Sequence, residues 1–168
     1  MNIAIIGGGN LGTALAGEFA TKGHNVVLYS SKARIFSHQI TIVEDDRQYL
    51  SLPFTVTEDL EYAVSRKRTQ LIIITVPASG LNTVAHRMFP LIQPGCVILF
   101  MPGIGGIEYM FSEHIQRGAV VLGLQRIPAV YRIIEPGHSV RVSGRRKNSL
   151  FLGAIPSKSA CEYAPPIV

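Results

Sequence analysis

Three glycines near the start of the chain have the spacing of a turn that holds a phosphate group. They fit GxGxxG, directly after an apolar run and before a helical pattern, and the loop comprises Gly7, Gly9, Asn10, Leu11 and Gly12. In this motif the first glycine permits the tight turn, the second lets the backbone approach a pyrophosphate, and the third lets helix and strand pack closely. The N–H groups at the helix start then face the anion. The spacing predicts a dinucleotide-binding loop; the alternative is a tight turn in a domain without a ligand.

A second segment bears on the choice of dinucleotide. It lies about 20 residues after the loop, where an acidic side chain commonly binds the 2′-hydroxyl of NAD. Residues 28–34 read LYSSKAR and contain no acid. Ser30 and Ser31 can donate hydrogen bonds to a 2′-phosphate, and Lys32 and Arg34 can neutralise it. NADP is therefore the predicted cofactor, with NAD as the alternative if Lys32 and Arg34 are merely solvated surface residues.

The order of apolar runs predicts an α/β fold with a doubly wound, mostly parallel sheet. The predicted strands are 2–6, 25–29, 40–43, 54–56, 71–76, 97–100 and 119–122. One helix is predicted after the glycine loop, and others over 57–66, with Thr57 as its cap, 80–89 and 107–115.

The last third of the chain has a different pattern. Strand-like runs at 131–134, 139–143 and 149–154 are separated by turn signals, which predicts an antiparallel hairpin region appended to the sheet. We expect one domain over 1–156 and a linker or frayed end over 157–168.

Composition narrows the class of protein. The 168 residues are 47% hydrophobic and 16% charged, which suits one globular domain. No apolar run reaches the roughly 20 residues of a membrane helix and no signal peptide opens the chain, so we expect a cytoplasmic protein without a membrane partner.

The net charge of +5 comes from scattered cations and the short clusters 66–68 and 145–147. No nucleic-acid recognition motif accompanies them, so we expect no nucleic-acid partner. Cys96 and Cys161 have no metal-ligand spacing, so free thiols and no metal site are predicted.

The motifs together resemble the N-terminal domain of the octopine/nopaline (opine) dehydrogenase family. The resemblance rests on GGGNLGTALA after the first strand, on a later strand that ends in Thr75-Val76-Pro77-Ala78, and on the loop MPGIGG. It implies that Val76, Pro77 and Ala78 line the dinucleotide. It extends weakly to a later stretch containing Ile127, Pro128, Arg132, Gly144 and Lys147.

This resemblance implies an activity and leaves alternatives open. The implied reaction is hydride transfer from NADPH to an imine of a 2-oxo acid and an amine or amino acid. The wider group includes ketopantoate reductase and glycerol-3-phosphate dehydrogenase. One alternative is a ketopantoate-reductase-like or F420-dependent NADP reductase. The other is a stand-alone NADP-binding module that senses cofactor or pairs with another chain.

Departures from the family pattern concern the substrate site. Met101 stands where the family often has Asn, and Tyr131 where it has Cys, so we expect a loop facing the active site to lack polar groups. The family places its catalytic His in a C-terminal helical domain that would begin roughly where this sequence ends, so we expect this chain to bind cofactor without being catalytically complete. The high share of hydrophobic residues suggests an apolar face that this domain or a homodimer would cover. His138 is the best histidine candidate, but turn structure explains it, and no catalytic residue is predicted. The acids Glu44, Asp45 and Asp46 are interpreted as a solvated loop.

Overall fold

The computed structural model describes residues 1–64, 69–144 and 146–167. The basic residues 66–68 and Arg145 therefore lie outside the described residues. The strands are β1 (Asn2–Ile6), β2 (Asn25–Tyr29), β3 (Thr41–Glu44), β4 (Arg47–Leu50), β5 (Thr55–Thr57), β6 (Leu71–Ile74), β7 (Val97–Phe100), β8 (Val120–Leu124), β9 (Val130–Glu135), β10 (Ser139–Ser143) and β11 (Leu152–Ile155). The helices are α1 (Asn10–Thr21), α2 (Leu60–Val64), α3 (Ala78–Met88), α4 (Ile107–Met110), α5 (Ser112–Gln116) and α6 (Ser159–Ile167).

The main sheet is mostly parallel, as predicted. Within the described residues it has the strand order β11-β8-β7-β6-β1-β2-β5. Its strands pair in parallel except for β11, which pairs antiparallel with β8. The central strands β1, β6 and β7 are almost entirely buried, which explains why each is a continuous apolar run rather than an alternating one.

The antiparallel region is organised differently from the prediction. The β9–β10 hairpin does not extend the main sheet; it belongs to a second sheet with the order β4-β3-β10-β9. Strand β4 was missed because the stretch 44–51 is mostly polar, yet Arg47–Leu50 pairs with β3 in a hairpin whose turn contains Asp45 at a positive φ of 51°. Only β11 is added to the main sheet. The missed strand β4 is mostly exposed, and an exposed strand needs no apolar pattern that would reveal it in the sequence.

Two cores cover the two faces of the main sheet. On one face, α1 packs against the sheet and against β3, β9 and β10 of the second sheet. On the other face, buried side chains of α2, α3 and α4 meet the sheet, and Phe111 packs edge-on against Phe100. No helix in the described part of the chain is long and apolar enough to cross a membrane.

Several helix boundaries differ from the predictions. Thr57 ends β5 instead of capping a helix; Asp59 accepts the Tyr62 N–H at 3.1 Å, and α2 begins at Leu60. The helix predicted over 107–115 is two short helices, α4 and α5, divided at Phe111. Phe111 is fully buried, and we attribute the break between the two helices to the packing of its side chain in the core.

The chain ends in a helix where a linker or frayed end was predicted. Helix α6 contacts β11, Ser159 at its start is buried, and Tyr163 packs against the core of the α1 face. Two prolines near its end led to the prediction of a non-helical segment, because proline lacks the N–H that a helix interior needs.

An ionic cluster fastens the second sheet to α1. The Arg146 guanidinium donates through Nη2 to Glu18 of α1 and to Glu44 of β3, each at 2.8 Å, and through Nε to Glu44. The buried Tyr131 of β9 donates its hydroxyl to the Glu18 carboxylate at 3.3 Å. Glu44 is therefore half-buried and paired rather than part of a solvated loop. Its hydrogen bond from Arg146 lowers the pKa of the Glu44 carboxyl.

The lowered pKa gives Glu44 a pH-dependent role in stability. A carboxyl group with a lower pKa in the folded state stabilises the fold fully above its unfolded pKa, about 4.3, and loses this contribution as pH falls through the folded pKa. The substitution Glu44→Gln should lower the free energy of unfolding by about 1.5 to 3 kcal/mol at neutral pH, the range for hydrogen bonds to charged groups. The deficit should shrink progressively below about pH 4.

Denaturant titrations from neutral pH to acid measure this difference. Asp46→Asn, in the exposed turn between β3 and β4, is the matched control and should have little effect. A Glu44→Gln deficit that is constant through the acid range would contradict the ionic account.

Candidate functional site

The main sheet has a topological switch point between β1 and β6. From β1 the chain passes to β2 and then to β5 on one side, and it returns to β6 on the other side. In open α/β sheets ligands bind outside the carboxyl ends of the strands at such a point. The glycine loop lies there, between β1 and α1.

A cleft of about 710 Å³ opens at this edge of the sheet. The carboxyl ends of β1, β2, β6 and β7 contribute its walls. Among the predicted cofactor residues, the cleft is lined by Gly7, Gly9, Asn10, Leu11, Ser30, Ser31, Lys32, Val76, Pro77 and Ala78. Of the predicted set, Gly12 lies behind the loop and Arg34 lies outside the lining.

The loop glycines meet different surroundings. Gly7 has a φ of 120°, a conformation that side chains with a Cβ rarely adopt. A Cβ on Gly12 would lie 1.7 Å from the carbonyl oxygen of Gly7, so α1 packs directly on the turn. A Cβ on Gly9 would meet no atom within 4 Å. Gly9 thus leaves open space beside the backbone, as a bound pyrophosphate would require.

The start of α1 suits an anion. Gly9 is the N-cap, makes no side-chain capping hydrogen bond, and no acidic residue occupies the first turn. The first N–H groups of a helix have no partner inside the helix and carry partial positive charge. The absence of a capping side chain leaves this positive end available to a phosphate.

Three residues that support the loop were missed by sequence reasoning. The hydroxyl of Thr75 lies 3.1 Å from the carbonyl oxygen of Ile6 and 3.0 Å from that of Gly7, which fixes the turn to the end of β6. The buried Thr13 donates to the Gly8 carbonyl at 3.3 Å. A Cβ on Gly8 would lie 2.7 Å from the Ser30 hydroxyl oxygen. In the sequence, the only sign of the role of Thr75 is that a hydroxyl side chain ends the apolar run LIIIT (residues 71–75).

The LYSSKAR segment divides into residues inside and outside the cleft. Ser30 is buried, and its hydroxyl oxygen accepts the Lys32 N–H at 3.2 Å, which shapes the turn after β2. Ser31 and Lys32 are exposed on the cleft. The Arg34 side chain is 91% exposed, and its Nε lies 4.0 Å from a Glu58 oxygen. Tyr29 packs towards α3, where its hydroxyl accepts a hydrogen bond from Arg87 at 2.9 Å.

Asn10 has a contact that the sequence did not reveal. Its side-chain oxygen accepts the N–H of Ile133 in β9 at 2.8 Å, which ties the first turn of α1 to the second sheet. On the opposite wall, Pro77 is the N-cap of α3 and Ala78 its first residue, so the second helix to reach the cleft also starts there.

The far end of the cleft is apolar, as expected for the loop containing Met101. Phe100, Met101, Pro102, Ile104 and Ile127 line it. The expectation for Tyr131 was wrong, because Tyr131 is 2% exposed and bonded to Glu18 rather than facing the cleft.

Histidines do not contribute to the described lining of the cleft. His138 is exposed in the turn between β9 and β10, and its backbone N–H bonds to the Glu135 carbonyl. His114 is buried against Phe89 and Phe111, and this burial lowers its pKa.

The described residues contain no group of three or more His, Cys, Asp or Glu side chains that could hold a metal ion. Cys96 and Cys161 are free, and burial raises the pKa of Cys96 to about 11.

Fold and cleft together define an NAD(P)-binding domain of the Rossmann type. The family model for the N-terminus of NAD-dependent glycerol-3-phosphate dehydrogenase matches residues 2–119, and the chain belongs to that family. The resemblance to the opine dehydrogenase group is confirmed at the level of this wider set of oxidoreductases.

Known proteins agree with this assignment. A glycerol-3-phosphate dehydrogenase [NAD(P)+] of Salinibacter ruber is 29% identical over 96% of this chain and 47% of its own length. The structure of octopine dehydrogenase with NADH and agmatine has a TM-score of 0.81 at 22% identity, covering 99% of this chain and 47% of that one. A ketopantoate reductase structure from Ralstonia eutropha has a TM-score of 0.75 at 18% identity, covering 98% of this chain and 52% of that one. The chain thus spans about half the length of these relatives.

Two alanine substitutions separate the roles of the glycines. Gly9→Ala should leave the free energy of unfolding nearly unchanged, because its Cβ meets open space and its φ of −83° suits alanine. It should weaken NADP binding at least about tenfold, a loss of about 1.4 kcal/mol, by filling the space beside the helix N-terminus. Gly12→Ala should instead destabilise the fold, because its Cβ would collide with the Gly7 carbonyl.

Chemical denaturation and NADP titration measure the two effects. Gly105→Ala is the control, since a Cβ there also meets open space and Gly105, unlike its neighbour Ile104, is not a lining residue of the cleft. Equal NADP affinity in Gly9→Ala and Gly105→Ala would refute the pyrophosphate assignment.

Proposed function

We propose that this chain is the cofactor half of an NADP-dependent oxidoreductase and that residues 1–156 form its dinucleotide-binding domain. The observation that carries the proposal is the cleft at the switch point, where Gly9 leaves open space in front of the uncapped start of α1. The pyrophosphate would bind there, with the backbone N–H groups of Asn10 and Leu11 closest to it.

The adenosine half of the cofactor would lie towards β2. Ser31 and Lys32 line that end of the cleft, and no acidic residue is among the lining residues described there. A hydroxyl and an ammonium group recognise a 2′-phosphate, whereas a carboxylate would repel it. Lys32 and Ser31 are thus the main source of the proposed preference for NADP, with Ser30 shaping the turn and Arg34 adding charge from outside the cleft.

The nicotinamide would lie at the apolar end of the cleft, beside Val76, Pro77 and Ala78. When bound, the cofactor supplies a hydride, and these side chains orient it and limit water access. The proposed reaction reduces an imine of a 2-oxo acid and an amine: the imine carbon receives the hydride, its nitrogen receives a proton, and the cofactor is oxidised. The second half seen in the relatives, or a partner chain, would complete the substrate site, so this half would bind cofactor but turn over poorly alone.

A second reaction is favoured by the family match. Oxidation of glycerol 3-phosphate would use the same cofactor cleft with the hydride moving in the opposite direction, from C2 of the substrate to the oxidised cofactor, while the C2 hydroxyl loses its proton. Its support is the family model over residues 2–119, whereas the opine-type reaction rests on the resemblance of GGGNLGTALA, Thr75–Ala78 and MPGIGG to the opine dehydrogenase family.

Substrate assays decide between the reactions. The product of the complete reading frame is assayed with NADPH and pyruvate plus an amino acid, with NADPH and ketopantoate, with reduced F420 and NADP+, and with NADP+ and glycerol 3-phosphate. We expect turnover with the first pair. Turnover only with another set would reassign the reaction, and NADP binding without turnover on any set would favour a stand-alone cofactor-binding module.

The cofactor preference depends on Lys32 more than on Arg34. Lys32→Ala should weaken NADP binding about tenfold or more, since a hydrogen bond to a charged group contributes about 1.5 to 3 kcal/mol. NAD, which lacks the 2′-phosphate, should bind Lys32→Ala as it binds the unaltered chain. Arg34→Ala is the matched control, because that side chain is almost fully exposed outside the cleft, and it should have the smaller effect.

Fluorescence titration with NADPH and NADH measures both variants. Unchanged NADPH affinity in Lys32→Ala, or an equal loss of NADPH and NADH affinity, would contradict this assignment.

A further inference from the structure

A second polar concavity lies beside the cofactor cleft. It has a volume of about 440 Å³ and is lined by Gln125, Arg126, Arg146, Lys147, Asn148 and Ser149, with Phe151 at one side. Arg126 lines this concavity and Ile127, the next residue, lines the cofactor cleft. Because consecutive Cα atoms are about 3.8 Å apart, the two linings meet along the backbone at residues 126 and 127.

Backbone hydrogen bonds hold the two walls of this concavity together. The N–H of Gln125 donates to the Phe151 carbonyl at 2.9 Å, and the N–H of Lys147 donates to the Pro128 carbonyl at 2.8 Å. The segment after β8 and the segment before β11 are therefore joined at both ends, and the antiparallel pairing of β8 with β11 continues the connection. The side chains of Arg126 and Lys147 are thus brought to one site by fixed backbone.

The charges around the concavity do not cancel. Arg146 is paired with Glu18 and Glu44, and these pairs raise its pKa, so it remains charged. Within residues 1–64, 69–144 and 146–167, neither Arg126 nor Lys147 forms an ion pair. The neighbouring Gln125, Asn148 and Ser149 can donate hydrogen bonds but carry no negative charge. The concavity therefore favours an anion.

We infer that this concavity, the Arg126–Lys147 pocket, binds the carboxylate or phosphate group of the substrate, an assignment that rests on the proposed function. A guanidinium binds either anion through two parallel N–H groups, and an ammonium group adds a point charge. A 2-oxo acid carries its carboxylate directly on the carbon that exchanges the hydride, and glycerol 3-phosphate carries its phosphate one CH2–O unit away from that carbon. The pocket would hold the anionic end while the reacting carbon lies over the apolar end of the cofactor cleft.

An NMR titration of this chain tests the pocket directly. Inorganic phosphate and acetate are added separately, with sodium chloride at matched ionic strength, and the backbone amides of Lys147, Asn148 and Ser149 are followed. We expect saturable shifts with phosphate or acetate and none with chloride. The double variant Arg126→Gln/Lys147→Gln should weaken this binding at least about tenfold, as expected when charge-assisted hydrogen bonds are lost.

Controls separate this proposal from the proposed cofactor role. Lys158→Gln removes an exposed lysine elsewhere and should leave phosphate and acetate binding unchanged. NADP binding, followed at the amides of Gly9 to Leu11, should be the same in the double variant and the unaltered chain. Tighter phosphate binding would indicate a phosphorylated substrate, and tighter acetate binding a carboxylate substrate.

Three outcomes would overturn the assignment. They are shifts that chloride reproduces, unchanged affinity in the double variant, and loss of NADP binding in the double variant. Saturable phosphate binding in a chain that does not bind NADP would refute the cofactor role and the substrate assignment together, whereas NADP binding without anion binding would refute the pocket alone.

Discussion

The close approach of α1 to the glycine turn is the constraint on which the site depends. Gly12 lies against the Gly7 carbonyl, and Thr75 holds that carbonyl from the end of β6. Three elements therefore meet at one point, with the positive end of α1 facing the carboxyl edge of the sheet. Gly9 can leave open space there only because its neighbours fix the turn without help from a ligand.

The second sheet extends this constraint to the other end of α1. Asn10 connects its first turn to β9, and Glu18, two turns further on, joins Arg146 and Tyr131. The helix is thus held along its length by a sheet that is separate from the one it follows in sequence. The same Arg146 forms a wall of the Arg126–Lys147 pocket, so the cluster that positions α1 also positions the proposed anion site.

Features that depend on local sequence patterns could be predicted from the sequence. Features that depend on contacts between residues far apart along the chain could not. The first two strands and the glycine loop were predicted because buried parallel strands are continuous apolar runs and GxGxxG has a local cause. Strand β4 was missed because it is short, begins with Arg47 and Gln48, and is mostly exposed. The partners of Glu44 and Asn10 are about a hundred residues away along the chain, and no spacing rule identifies them. Thr75 and Gly8 were missed because their roles depend on contacts across the turn rather than on the motif itself.

We propose that the cleft at the glycine loop binds a dinucleotide and prefers the one with a 2′-phosphate. Isothermal titration calorimetry of the unaltered chain with NADP and with NAD tests it most directly. We expect saturable binding of one NADP for each chain, with an affinity at least about tenfold above that for NAD, the effect of one surviving charged contact. Absence of saturable binding by either cofactor would contradict the glycine-loop assignment, and NAD binding equal to or tighter than NADP binding would contradict the assignment of Ser31 and Lys32.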